Sequence, residues 1–241
     1  MPHALKERLL ALMDTKHHWA WPRFEAPGLT REQLLVHFRH EYHTYVRDFP
    51  VLLARVLALG PPPEVRRALA ENVYEESTGK LSFGVSHPEL FLELMDGLHI
   101  DRAAVEAEGG HWLPAAETYR RFLWQATGAQ PWPVAAAVIT LFVEGSRHER
   151  AELAGTRARA PIEAHPWAVH YGCPVKNLRL MQAHALVEGD HRDDGWRSIL
   201  EHVPDEGPLA ERVVGAVERA LQLWLRYRDS VAEAMGLSPS G

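Results

Sequence analysis

A hydrophobic period close to 3.6 residues runs through almost the whole chain, and that feature confines it to helical folds. No stretch of the 241 residues alternates as a strand does, and none repeats or falls into low complexity. The spacing predicts helices over about 4–15, 31–60, 62–78, 87–98, 101–107, 114–127, 133–157, 174–191 and 207–236. Thr30 with Gln33 three residues on forms a capping-box pattern, and Ser86 stands where a cap belongs. Pro50 is expected to kink the 31–60 helix. The 174–191 helix is left open to run on past Gly195, and residues 158–173 read as an irregular connection. Val134 to Val143 is almost wholly apolar, which predicts a central buried helix. Gly-Pro punctuation separates helices rather than domains. The expected architecture is therefore all-α: a single helical bundle of about eight helices spanning 1–241, with 1–29 as an N-terminal extension packed on it.

Composition narrows the function. The net charge of −6 argues against a general nucleic-acid surface, which needs a basic excess. One cysteine, Cys173, rules out intrachain disulfides and Cys-rich metal sites. No apolar run reaches the roughly 18 residues of a membrane span, and the charged N-terminus does not read as a signal peptide. The expectation is a cytoplasmic protein acting on a small molecule, with a homodimer as the default assembly. The outlier in the composition is 15 histidines.

Three places carry chemistry. His184, Glu188 and His191 follow i, i+4, i+7 spacing, so they lie within about 60° of one another on a helix. Two imidazoles and a carboxylate on one stripe suit a first-row metal, and equally a solvated polar face. Glu144 directly follows an apolar run, where burial would demand a partner or a metal; taken alone it reads first as a residue at the helix exit, solvated or bonded to Arg147. Glu75 and Glu76 precede a loop that leads to His87, and adjacent glutamates are ordinarily a solvated face. Taken together, the three places offer carboxylates and histidines on separate helices, the way bundles hold two metal ions.

These pieces resemble a known family. Asn72-Val73-Tyr74-Glu75-Glu76, His87-Pro88-Glu89-Leu90-Phe91, Phe142-Val143-Glu144 and Tyr171-Gly172 before His184-x3-Glu188-x2-His191 look like the haem-oxygenase-like di-iron oxidases and oxygenases. That branch shares a superfamily with thiaminase II and pyrroloquinoline-quinone synthase. The resemblance covers about residues 30–235. It implies a haem-oxygenase-like fold and six metal ligands: Glu76, His87, Glu144, His184, Glu188 and His191. It further implies two Fe(II) ions as cofactor, dioxygen as co-substrate, and oxidation of a small amino-acid-like or fatty-acid-like molecule by desaturation, C–C cleavage or N-oxygenation. Manganese would use the same ligand types. Two features depart from the family pattern: Glu188 stands where Asp is usual, and Glu76 is preferred to Glu75 by alignment alone. Catalytic residues beyond the metal centre are not specified.

The helix bearing Tyr42, Tyr45 and Val46 resembles the one lining the family's substrate pocket, and core packing is the equal alternative for all three. His37, His40, Glu41 and His43 on the same helix read first as packing residues. Arg39, Arg47 and Arg179 are candidate clamps for a substrate carboxylate. Cys173 lacks a local base and any sign of a lowered pKa. Two rival readings remain: a metal-free oxidase of the quinone-synthase kind, and a non-enzymatic helical partner protein.

Overall fold

The structure is a computed structural model. It describes residues 3–108 and 112–239, and the side chains of Glu25, Val187, Glu188 and Asp190 are outside the described set. In chain order the helices are α1 (Ala4–Asp14), α2 (Trp21–Glu25), α3 (Arg31–Glu41), α4 (Phe49–Ala58), α5 (Pro63–Thr78), α6 (His87–Gly97) and α7 (Arg102–Glu106). They continue with α8 (Pro114–Ala129), α9 (Trp132–Ala136), α10 (Glu149–Leu153), α11 (Pro166–Tyr171), α12 (Arg179–His202) and α13 (Pro208–Ala234). No strand occurs among the described residues. Eight of these α-helices run ten residues or longer, in keeping with the bundle read from the sequence.

The apolar run forms the central rod. It starts as α9 and continues as a π-helical stretch, Ala137–Val143, and every residue from Pro133 to Phe142 is buried. Helices α4, α8, α12 and α13 pack around it, and α5 and α6 close the side between α4 and α12. Gly195 lets α12 approach closely: a Cβ there would stand 3.1 Å from Thr140 Oγ1 on the rod. That explains why α12 runs through this glycine without breaking. The N-terminal α1 lies against α13 and α10.

Local signals explain most helix starts. Thr30 and Gln33 form the capping box, with Gln33 N–H donating to Thr30 Oγ1 at 3.3 Å and Thr30 N–H to Gln33 Oε1 at 2.9 Å. Ser86 caps α6 by accepting from Glu89 N–H. Five expectations are corrected. The 31–60 helix is two helices, because the chain passes through a second π-helical stretch, Tyr42–Val46, and then a turn. Pro50 accordingly sits in the first turn of α4, where its missing N–H costs nothing, and does not kink a longer helix. The 133–157 helix ends at Val143, and α10 is a separate short element. The 158–173 connection contains α11, and the late helix begins at Arg179 after a 3-10 turn at Val175–Asn177.

The break after the rod is fixed by a buried carboxylate. Glu149 is 1% exposed; it accepts from Ser146 N–H at 2.8 Å, Arg192 Nε at 3.3 Å and Trp196 Nε1 at 3.1 Å. It thereby ties the rod's exit to α12. Glu149→Ala should cost about 3 kcal/mol in urea unfolding, the low end for breaking a buried pair. The low end applies because Glu152 stands 3.6 Å from Arg192 Nη1 and keeps it partly paired. A loss under about 0.5 kcal/mol, the ordinary size of a surface change, would show that this carboxylate does not hold the break.

Among the described residues no helix is long and apolar enough to cross a membrane.

Candidate metal and substrate site

One cavity of about 430 Å³ lies between the rod, α3, α5, α6, α11 and α12. Glu76, His87, Glu144, His184 and His191 all line it. Five of the six residues singled out by sequence thus face one space, from four separate parts of the fold. The sixth, Glu188, has a side chain outside the described residues. Its backbone lies on α12 one turn from both His184 and His191.

Local folding decides which acidic residue of α5 faces inward. Helix α5 ends at Gly79 in the left-handed region, φ 61°. The loop beyond it folds back under the helix end, so that a Cβ on Gly79 would sit 2.0 Å from the Val85 carbonyl oxygen. Glu75, fully buried, is consumed by that loop: it accepts Leu81 N–H at 2.6 Å and the Ser82 hydroxyl. Glu76, the next residue round the helix, is left facing the cavity.

His87, the first residue of α6, stands with Nδ1 2.8 Å from Glu76 Oε1 and Nε2 3.5 Å from Glu75 Oε1. Both contacts are ion-pair contacts, and neither ring nitrogen meets its carboxylate with full hydrogen-bond geometry. Burial favours the neutral ring, but the two carboxylates outweigh it and raise the His87 pKa. His184 packs against His87 with ring centroids 5.4 Å apart. Burial, helped by the neighbouring His87, pushes the His184 pKa down to about 4. Burial lowers His191 as well. Glu144 follows the π-helical stretch, its N–H donating to Ile139 O five residues back. Its Oε1 accepts from Asn72 Nδ2 at 2.8 Å, and so joins the rod to α5 one turn before Glu76.

Among the described residues, no three His, Cys, Asp or Glu side chains are arranged to hold a metal ion. The donor types nevertheless match hard divalent metals. The two unbonded nitrogens of His87, beside carboxylate oxygens, are polar atoms that burial leaves unsatisfied. The residues present fit such a group in chemistry and in the cavity they share.

The rest of the cavity is largely apolar, with Phe24, Phe38, Phe91, Leu94, Trp167 and Met181 in its wall. Tyr45 and Val46 line it, while Tyr42 turns into the core against Phe91. His40 Nδ1 and His43 Nε2 bond to the carbonyls of Val36 and Val105, so both serve packing. None of the three candidate clamp arginines faces the cavity. Arg39 donates to Ala107 O, Arg47 pairs with Asp48 and Glu108, and Arg179 pairs with Glu93. Cys173 is buried and its thiol is pushed up to about 11, which leaves it a packing residue.

Sequence reasoning missed the strongest buried charge beside this cavity. Arg228 on α13 is 1% exposed and donates through Nη2 to Glu41 Oε1 and to the Tyr45 hydroxyl, each at 2.8 Å. Glu41 also meets His37 Nε2 at 3.2 Å. A signal existed: Arg228 falls on the apolar stripe Val217, Leu221, Trp224, Val231, where a charge demands a buried partner.

The fold is that of a haem-oxygenase-like helical protein, and its cavity gathers carboxylate and imidazole side chains. The solved structure of a TenA homolog from Pseudomonas syringae pv. tomato superposes with a TM-score of 0.62 at 16% identity, covering 96% of this chain and 87% of that one. At that identity the likeness speaks for the fold alone. No curated protein matches the chain significantly. Residues 36–225 match the iron-containing redox enzymes, and the chain belongs to that family.

Proposed function

We propose that the protein is a non-haem di-iron oxidase or oxygenase that uses dioxygen on a small substrate. The observation that carries the reading is the convergence of Glu76, His87, Glu144, His184 and His191 on one largely apolar cavity. Glu188 would complete the set of six. When bound, a pair of ferrous ions would supply the electrons for reducing dioxygen, chemistry that no side chain here provides. The carboxylates Glu76 and Glu144 would balance the ions' charge, and the imidazoles would fill the remaining protein positions. Asn72 holds Glu144 in orientation from outside the set, the way supporting hydrogen bonds orient ligands. The aromatic and aliphatic wall excludes water and suits the alkyl part of an amino-acid-like or fatty-acid-like molecule, with Tyr45 and Val46 in the wall and the Tyr45 hydroxyl bonded to the Glu41–Arg228 pair. Desaturation, C–C cleavage and N-oxygenation all fit such a site.

A second reading has one observation in its favour. The described donors do not by themselves close on a metal position, and Glu76 pairs with His87 directly. A metal-free oxidase resembling pyrroloquinoline-quinone synthase would look like this.

Anaerobic ferrous titration separates the two. Two irons per chain are expected, manganese competing for the same positions. His191→Ala should lose at least one iron and weaken the remainder about 100-fold or more, while circular dichroism stays that of the parent. An absence of stoichiometric binding to the parent protein would sink the di-iron reading in favour of the metal-free one.

A further inference from the structure

A second cavity, of about 320 Å³, lies behind the first and shares Trp21, Tyr45 and Val143 with it. Its chemistry is opposite to that of the donor-lined space. Lys16, Arg147, Arg157 and Arg228 line it, and no carboxylate does among the described residues.

These four cations are not equally engaged. Lys16 Nζ donates to the carbonyls of Phe142, Val143 and Gly145 at the end of the rod, so it contributes charge rather than a free donor. Arg157 pairs with Glu152. Among the described residues Arg147 bonds to imidazoles alone: its Nη1 approaches His17 Nδ1 at 2.8 Å and its Nε approaches His148 Nε2 at 3.2 Å. Arg228 spends Nη2 on Glu41 and Tyr45, while its Nε and Nη1 are buried with no hydrogen-bond partner among the described residues. The faces of Trp21 and Trp224, 5.0 and 5.5 Å from the guanidinium carbon, steady the charge but supply no acceptor. Buried guanidinium N–H groups left without acceptors carry a desolvation cost that an incoming anion would remove.

We propose that this cavity is an oxyanion-binding site, in which Arg147 and the unused N–H groups of Arg228 receive a carboxylate or a phosphate. The anion is either free or the acidic end of a molecule whose apolar remainder reaches past Tyr45 and Val143 into the donor-lined cavity. The site stands on its own residues and does not depend on whether iron binds next door.

Calorimetric titration of the full chain, with and without added iron, tests it. The probes are inorganic phosphate, acetate, octanoate and the neutral octanamide. Saturable binding of at least one anion is expected, about tenfold weaker in Arg147→Gln and weaker again in Arg228→Lys, and decreasing with salt. Octanoate binding well ahead of acetate assigns the site to the head of a longer molecule; phosphate or acetate binding as tightly as octanoate assigns it to a free anion. Arg147 is exposed, so its variant folds and keeps the test decisive even where Arg228→Lys does not. The proposal is overturned by the absence of saturable anion binding, by octanamide binding as tightly as octanoate, or by an unchanged affinity in Arg147→Gln.

Discussion

Arg228→Met is expected to destabilise the protein by about 3–5 kcal/mol, the cost of stranding the largely buried Glu41 carboxylate. The double variant Arg228→Met with Glu41→Leu should recover most of that loss, because two apolar groups replace two charges that compensated one another. Urea unfolding of the parent, both single variants and the double variant measures the coupling. Additive losses would show that the two groups do not act as a pair. The pH dependence has a fixed sign. Burial pushes Glu41 toward protonation, but Arg228 and then His37 overcome it and hold the carboxyl well below its ordinary value of 4.5. A depressed folded-state pKa gives stability that is fully present above about 4.5 and is lost as pH falls below that value. Acid unfolding of the parent should therefore steepen below about pH 4.5. Glu41→Gln should flatten that limb while lowering stability at pH 7, and an unchanged acid limb in that variant would remove Glu41 from the account.

Gly79→Ala should be comparably severe and should reach the site as well. At φ 61° an alanine is strained by about 1 kcal/mol. Its Cβ would also stand 2.0 Å from backbone oxygen at Val85, an atom that moves only with the whole 79–86 loop. A total near 3–4 kcal/mol is expected, a fall in Tm of roughly 10 °C for a chain of this size. Because the same loop occupies Glu75 and delivers His87, iron affinity should fall with it. A Tm within about 2 °C of the parent would mean that the turn tolerates a side chain and that the loop is not what sets Glu76 and His87 face to face.

How much of this the sequence disclosed depends on where each piece of information resides. Periodic apolar stripes and caps are local, so the bundle, the buried rod, the Thr30 box and the Ser86 cap were legible. The spacing of His184 and His191 was legible for the same reason. The two π-helical stretches were not. Ala137–Val143 is nearly uniformly apolar, so its sequence carries no phase from which a change of turn could be read. The split at Arg47–Asp48 follows from the other stretch and was lost with it. The choice between Glu75 and Glu76 came from resemblance; its physical basis is the loop that engages Glu75, several residues away in sequence. Arg228 was overlooked because its partners lie more than 180 residues distant, although its place on an apolar stripe was a usable clue.

The π-helical stretch before Glu144 also bears on how such a site can arise. A widened turn accommodates one additional residue in a helix and rotates everything beyond it by about 100° while leaving the packing of the earlier turns in place. Without the extra residue of the widened turn, Glu144 would fall about 100° round the rod from the position in which Asn72 now holds it. The place of this carboxylate in the cavity therefore rests on the number of residues in the rod as much as on their kind, and the buried turns before it need not change for it to be set there.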